Sequence, residues 1–203
     1  MTERLDAASD TALDRAAAAI EAGTLVVYPT ETVYGLGADA LDGAAIGAVF
    51  EAKGRDRDDP ISLAVPSVDA AMDYVSAAPI EREFMEAFLP GPVTVVLEKR
   101  ARVPDALTGG RDRVGVRIPD HERALALLER TAPITATSAN VSGRPSITNP
   151  ADLEQALLEH VEVVLDGGVT PGTGSTVVTV ADGTIHRRGQ GADAIEAWLA
   201  EHV

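Results

Sequence analysis

Short apolar runs alternate with amphipathic stretches along almost the whole of this 203-residue chain, and that alternation restricts it to one fold class. Thr24–Tyr28, Ile61–Val65, Val93–Leu97, Val114–Ile118, Ile134–Thr137 and Val161–Leu165 are too short for buried helices and apolar enough for strands covered on both faces. Between them the period changes. Residues 11–22 place Leu13, Ala16, Ala17 and Ile20 on one helical face before a stop at Gly23. Asp42 reads as the N-cap of a helix carrying Ile46, Val49 and Phe50 to about Gly54. Further helices are predicted from Ser67 through Val75, from Pro79 to about Phe88, from Asp120 to about Glu129, from Asn149 through Leu158, and around Ile195, Trp198 and Leu199. Ser175–Val180 and Thr184–Arg187 read as a hairpin across Asp182-Gly183, which makes the sheet mixed. The expected class is therefore α/β: a single domain over residues 1–203, with a twisted mixed β-sheet flanked by helices.

Composition removes several functions. Without cysteine there is no disulfide, thiol nucleophile or thiolate zinc site, and His121, His160, His186 and His202 show no metal-ligand spacing. No segment approaches the ~20 apolar residues of a membrane helix, and the N-terminus lacks a cationic flank and apolar signal region, so the expected compartment is the cytoplasm. The formal net charge is -15, and only Lys53 and Lys99 among the cations are lysine. Such a surface repels polyanions at long range, which argues against nucleic acid as the main ligand. Acidity with scarce lysine also predicts halophilic behaviour, because concentrated salt screens the self-repulsion.

Against that background a local concentration of cations needs a reason. Lys53-Gly54-Arg55, followed by Arg57, leaves the end of a predicted helix. Polar loops at residues 29–37, 53–59, 138–148 and 167–175 follow strands or helices, and in an open sheet such loops converge beyond the strand ends. Gly35-Leu36-Gly37-Ala38-Asp39-Ala40 fits a dinucleotide pattern, yet it lies six residues past its strand and no helix begins until Asp42. Its glycines read as a turn with positive φ, which leaves Thr30, Thr32 and Tyr34 without an explanation. Gly168–Thr176 lacks the lysine of a phosphate-binding P-loop and precedes a strand. Arg117 is the most demanding cation. Between Val116 and Ile118 in a strand it requires an anionic partner, in the protein or in a ligand.

Thr30–Gly37, Lys53-Gly54-Arg55, Pro90–Thr94, Val114–Pro119, Thr137-Ser138-Ala139-Asn140-Val141-Ser142-Gly143 and Gly174–Val178 together resemble, in order and spacing, the YrdC family of L-threonylcarbamoyladenylate synthases. The resemblance implies a YrdC-like fold in its single-domain form, with its core at about residues 10–190. It also implies an activity that joins L-threonine, bicarbonate and ATP into threonylcarbamoyl-AMP and pyrophosphate, for a separate threonylcarbamoyl transferase complex acting on tRNA. Carried over by motif, Lys53, Arg55, Ser138 and Asn140 act at the reacting groups, and Asp59, Arg113, Thr148 and Arg187 join Lys53, Arg55 and Asn140 around ATP. Thr32, Arg117, Ser138 and Ser175 position threonine, with Arg117 pairing to its α-carboxylate. No protein metal site is implied, Mg²⁺ being held mainly by the ATP phosphates. Asp56, Asp59 and Ala64 replace the family's usual proline, asparagine and histidine. These departures keep open a paralogue that acts as an RNA-binding or RNA-maturation module without synthesis.

Overall fold

A computed structural model describes residues 2–131 and 133–203. The strands are β1 Glu3–Asp6, β2 Leu25–Tyr28, β3 Gly35–Gly37, β4 Ser62–Ala64, β5 Val75–Ser76, β6 Val93–Lys99, β7 Arg113–Arg117, β8 Ile134–Ser138, β9 Val161–Asp166, β10 Thr176–Thr179 and β11 Thr184–Arg187. The helices are α1 Asp10–Glu21, α2 Gly43–Lys53, α3 Val68–Ala71, α4 Pro79–Phe88, α5 Asp105–Thr108, α6 Glu122–Thr131, α7 Gln155–Leu158 and α8 Ala192–His202. The strands form one mixed sheet in the order β1-β9-β2-β3-β8-β4-β7-β6-β10-β11, with β5 paired to β6 beside that path. β1 and β2 flank β9 in parallel, β4 runs parallel to β7 and β6 to β10, and the remaining pairs are antiparallel.

The period-two alternation of the strands divides the core into two layers. Val26, Tyr28, Val163 and Leu165 face Leu13, Ala16 and Ile20 of α1 and Leu127 and Leu128 of α6. Leu25, Val27 and Val164 point the other way, into the larger layer with Ile46, Val49 and Phe50 of α2 and Phe84 and Met85 of α4. The helix signals hold where a cap and a stop coincide. Asp42 accepts from Ala44 N at 2.8 Å, and Gly54 ends α2 in the left-handed region at φ 55°.

Several expectations are corrected. The helix expected from Ser67 through Val75 stops at Ala71, because Val75-Ser76 pairs with Glu98-Lys99 of β6. The helix expected from Asn149 splits into a 3-10 turn at Pro150–Asp152 and the short α7. His121, not Asp120, caps α6, its Nδ1 accepting from Ala124 N at 3.3 Å. β1 is a largely exposed edge strand, paired among the described residues only with β9 and without an apolar run to announce it. β3 replaces the turn expected at Gly35 and Gly37, neither of which has positive φ. Glycine is needed at 35 for space: a Cβ there would stand 2.7 Å from Cζ of Tyr28, whose ring crosses the strand.

Candidate active site

A cavity of about 390 Å³ lies over one face of the sheet. Its floor is made by strand residues, including Ser62, Thr94, Val96, Gly115, Ala136 and Val177, and its rim by the loops. The expected meeting of loops beyond the strand ends is thus corrected to a site on the sheet face. The reason lies in residue size. Gly115 and Ala136 leave the face low, and a Cβ at Gly115 would collide with Ser62 Oγ.

Alternation along β7 delivers the cations. Val114 and Val116 are buried in the core, whereas Arg113, Gly115 and Arg117 line the cavity. Arg111 comes from the loop that leads into β7, and Arg55 and Arg187 from two other segments. Of these five cavity arginines, Arg117 alone has a carboxylate at ion-pair distance among the described residues, Glu31 Oε1 at 3.0 Å. The others use neutral acceptors or none. Arg55 donates to the carbonyls of Asp59 and Pro60, each at 3.1 Å, and Arg187 donates to Ser175 O at 3.0 Å and Ser175 Oγ at 2.9 Å. Burial, then the charges of Arg117 and Arg55, push the Arg187 guanidinium below its ordinary range. An anion among these guanidiniums would relieve their mutual repulsion.

Hydroxyls complete the wall. Thr32 Oγ1 accepts from Arg117 Nη2 at 2.7 Å and shares a 2.9 Å bond with Thr30 Oγ1, while Thr94 Oγ1 and Ser175 Oγ are 3.1 Å apart. Tyr34 has a different function: its hydroxyl donates to Gly168 O at 2.6 Å and accepts from Gly167 N at 3.0 Å, tying two loops together. No aspartate or glutamate lines the cavity among the described residues.

Thr32, Arg55, Arg113, Arg117, Ser138, Ser175 and Arg187 all meet at this cavity; Lys53, Asp59, Asn140 and Thr148 do not line it. Lys53 is 1% exposed, the last residue of α2 and not part of an exposed loop. Its Nζ donates to the carbonyls of Ser138 and Asn140, the latter at 2.7 Å, and its own carbonyl accepts from Ser142 N at 2.8 Å. Burial and the Arg55 charge lower its pKa to about 8. Asn140 turns inward as well, donating from Nδ2 to the carbonyls of Val141 and Arg144 at 2.9 Å and leaving Oδ1 buried without a partner. Asp59 is exposed and presents only its carbonyl to Arg55. The carbonyl of Thr148 accepts from Thr170 N at 2.9 Å, joining two rim loops. Sequence reasoning does not single out Tyr28, Ser62, Thr94, Arg111 or His186, which also line the cavity. Ser62 and Thr94 carried a usable signal, since each is a hydroxyl interrupting an apolar strand, as Arg117 is a cation interrupting one.

Residues 18–189 match the model of the Sua5/YciO/YrdC family, which bears the description telomere recombination. The chain belongs to this family. Among its relatives, a threonylcarbamoyl-AMP synthase of Pyrococcus abyssi is 45% identical over 82% of this chain and 50% of its own length. Another threonylcarbamoyl-AMP synthase, from Xanthomonas oryzae, is 39% identical over 77% of this chain and 86% of its own length. The crystal structure of P. abyssi Sua5 complexed with L-threonine is 39% identical and superposes with a TM-score of 0.88, covering 100% of this chain and 60% of that one. The chain therefore spans about half the length of the Pyrococcus relative. Its Sua5/YciO/YrdC fold is the mixed α/β sheet described above.

Proposed function

We propose that this protein is an L-threonylcarbamoyl-AMP synthase. The observation that carries the reading is the convergence of five arginines, one bound to a buried carboxylate and four without one, on a hydroxyl-lined cavity in a chain of net charge -15. Two relatives named threonylcarbamoyl-AMP synthase and a structure of Sua5 with L-threonine support the same substrate class. Arg117 and Thr32, at the buried end, suit an amino-acid carboxylate; Arg55, Arg113 and Arg187 suit phosphates.

The chemistry needs alignment more than a side-chain nucleophile. The threonine nitrogen attacks bicarbonate carbon, water leaves, and an N-carboxylate forms. A carboxylate oxygen then attacks the α-phosphorus of ATP, the bond to the bridging oxygen breaks, and pyrophosphate departs. Guanidiniums facing the cavity stabilise charge growing on phosphate oxygens, and fixed hydroxyls hold the reactants in register. Mg²⁺ supplies further charge neutralisation on the phosphates; a wall of guanidinium and hydroxyl groups without carboxylates fits a triphosphate that brings its own ion. Lys53 and Asn140 act here by shaping the 138–144 loop. The product is destined for a separate transferase that modifies tRNA. An RNA-binding role receives no support from the enclosed position of the cations or from the acidic surface.

Incubation with ATP, Mg²⁺, bicarbonate and L-threonine is expected to release pyrophosphate in proportion to threonylcarbamoyl-AMP. Salt-sensitive RNA binding with no pyrophosphate release would reverse the conclusion.

A further inference from the structure

Glu31 is a largely buried carboxylate that the proposed reaction does not use. Its side chain is 13% exposed, Oε1 accepts from Arg117 Nη2 at 3.0 Å, and Oε2 is buried without a hydrogen-bond partner. A half-satisfied carboxylate in such a place is costly unless it does something that an apolar residue cannot.

The geometry of the arginine shows what that is. Arg117 Nη2 donates both to Glu31 Oε1 and to Thr32 Oγ1, at 3.0 and 2.7 Å, while Nε and Nη1 have no protein acceptor among the described residues. A guanidinium offers a carboxylate two bidentate edges, Nε/Nη2 and Nη1/Nη2, and Nη2 belongs to both. Thr32 lines the cavity and Glu31 does not. The two acceptors together take both protons of that nitrogen, one from the cavity wall and one from outside the lining. With Glu31 removed, Thr32 alone holds Nη2, and the guanidinium plane loses one of its two anchors.

We infer that Glu31 is a positioning residue for substrate recognition: with Thr32 it takes both Nη2 protons of Arg117, fixes the plane of the guanidinium and leaves Nε and Nη1 as the donors for the α-carboxylate of the amino acid. The inference rests on the synthase reading, since it takes the amino-acid carboxylate as the ligand of Arg117. It assigns a role to the residue beside Thr32 in the Thr30-Glu31-Thr32 motif and separates its work from that of the phosphate-facing arginines.

The test compares Glu31→Ala, Glu31→Gln and Glu31→Asp by steady-state kinetics with each substrate varied, beside calorimetry of L-threonine binding without nucleotide. Glu31→Ala is expected to raise the threonine KM by about tenfold, through misalignment of one contact, with kcat and the ATP KM little changed. Glu31→Gln keeps the reach and an acceptor oxygen and should stay close to wild type; Glu31→Asp keeps the charge but falls one methylene short and should resemble alanine. In an Arg117→Lys background the alanine change should add little, because the clamped group is gone. If aspartate rescues and glutamine does not, Glu31 acts by charge and the inference is overturned. Equal effects on both substrates, or none, overturn it too. If Glu31→Ala does not fold, the glutamine and aspartate variants decide alone. Turnover by wild type with no effect of the variants sinks the inference and spares the synthase reading. Threonine binding with the expected variant pattern but no turnover does the reverse, and wild-type protein that neither binds threonine nor turns over removes both.

Discussion

Lys53 and Arg55 stand two residues apart in one motif, yet their surroundings are opposite. Lys53 ends α2, is 1% exposed and spends its ammonium on two backbone carbonyls of the 138–140 segment. Arg55, past the helix stop at Gly54, lines the cavity and is steadied by the carbonyls of Asp59 and Pro60. Arg117, across the cavity, combines the two situations: it is nearly buried like Lys53 and lines the cavity like Arg55, and it alone of the three carries an internal carboxylate. Cations in this acidic chain therefore do distinct work, one fastening loop to helix, one facing the cavity, one doing both.

The largest effect is expected at Arg117, where the two functions coincide. Arg117→Ala leaves Glu31 buried and unpaired and should cost about 3 to 5 kcal/mol of stability as well as most threonine-dependent activity. Arg117→Lys keeps the charge but loses the planar fork, so it should raise the threonine KM far more than the ATP KM. A thermal melt beside the kinetics separates the two losses. Should activity vanish with an unchanged melt, the Glu31 pair contributes nothing to the fold.

Arg55→Ala comes next and should divide the other way. Removal of one transition-state charge contact is worth on the order of 2.7 to 4 kcal/mol of barrier, as for an oxyanion-hole donor, with little change in melting. Turnover within a few-fold of wild type would place the phosphates elsewhere in the cavity.

Lys53→Met is expected to lose stability first, because the Ser138 and Asn140 carbonyls lose their donor, at about 1 to 3 kcal/mol for buried groups left unsatisfied. Its pH dependence sharpens the comparison with Arg55. The Lys53 pKa is lowered from 10.5 to about 8 in the fold, so between these values the unfolded chain binds more protons than the folded one. Stability then rises with pH across that window. Wild type should gain on Lys53→Met as pH climbs from 8 toward 10.5, and a gap that narrows would contradict the buried, strained ammonium.

The last effect, no larger than that at Lys53, belongs to Gly35→Ala, which touches no cation. Its Cβ would meet the Tyr28 ring at 2.7 Å and should cost about 1 to 3 kcal/mol by overpacking, with the cavity wall displaced and both KM values raised together. Selective loss for one substrate would show that Tyr28 contacts a ligand directly.

The amino-acid sequence by itself determined the α/β class, the cap and stop of α2, the start of α4 at Pro79 and the mixed sheet, and it singled out Thr32, Arg55, Arg113, Arg117, Ser138, Ser175 and Arg187, which line one cavity. Those features rest on local periodicity, on cap chemistry and on motif order, all of which are written along the chain. It also required an anion for Arg117, because a cation in an apolar strand cannot stay unpaired. What it left undecided was which anion, and the tertiary structure supplies Glu31, 86 residues away along the chain. The inward turn of Lys53 and Asn140 was likewise beyond reach, since whether a polar side chain at a helix end faces ligand or backbone depends on what packs over it. β1 and β3 exist only because β9, β2 and β8 offer unpaired backbone beside them; strands this short are chosen by their neighbours, and pairing between distant segments leaves no period in either one.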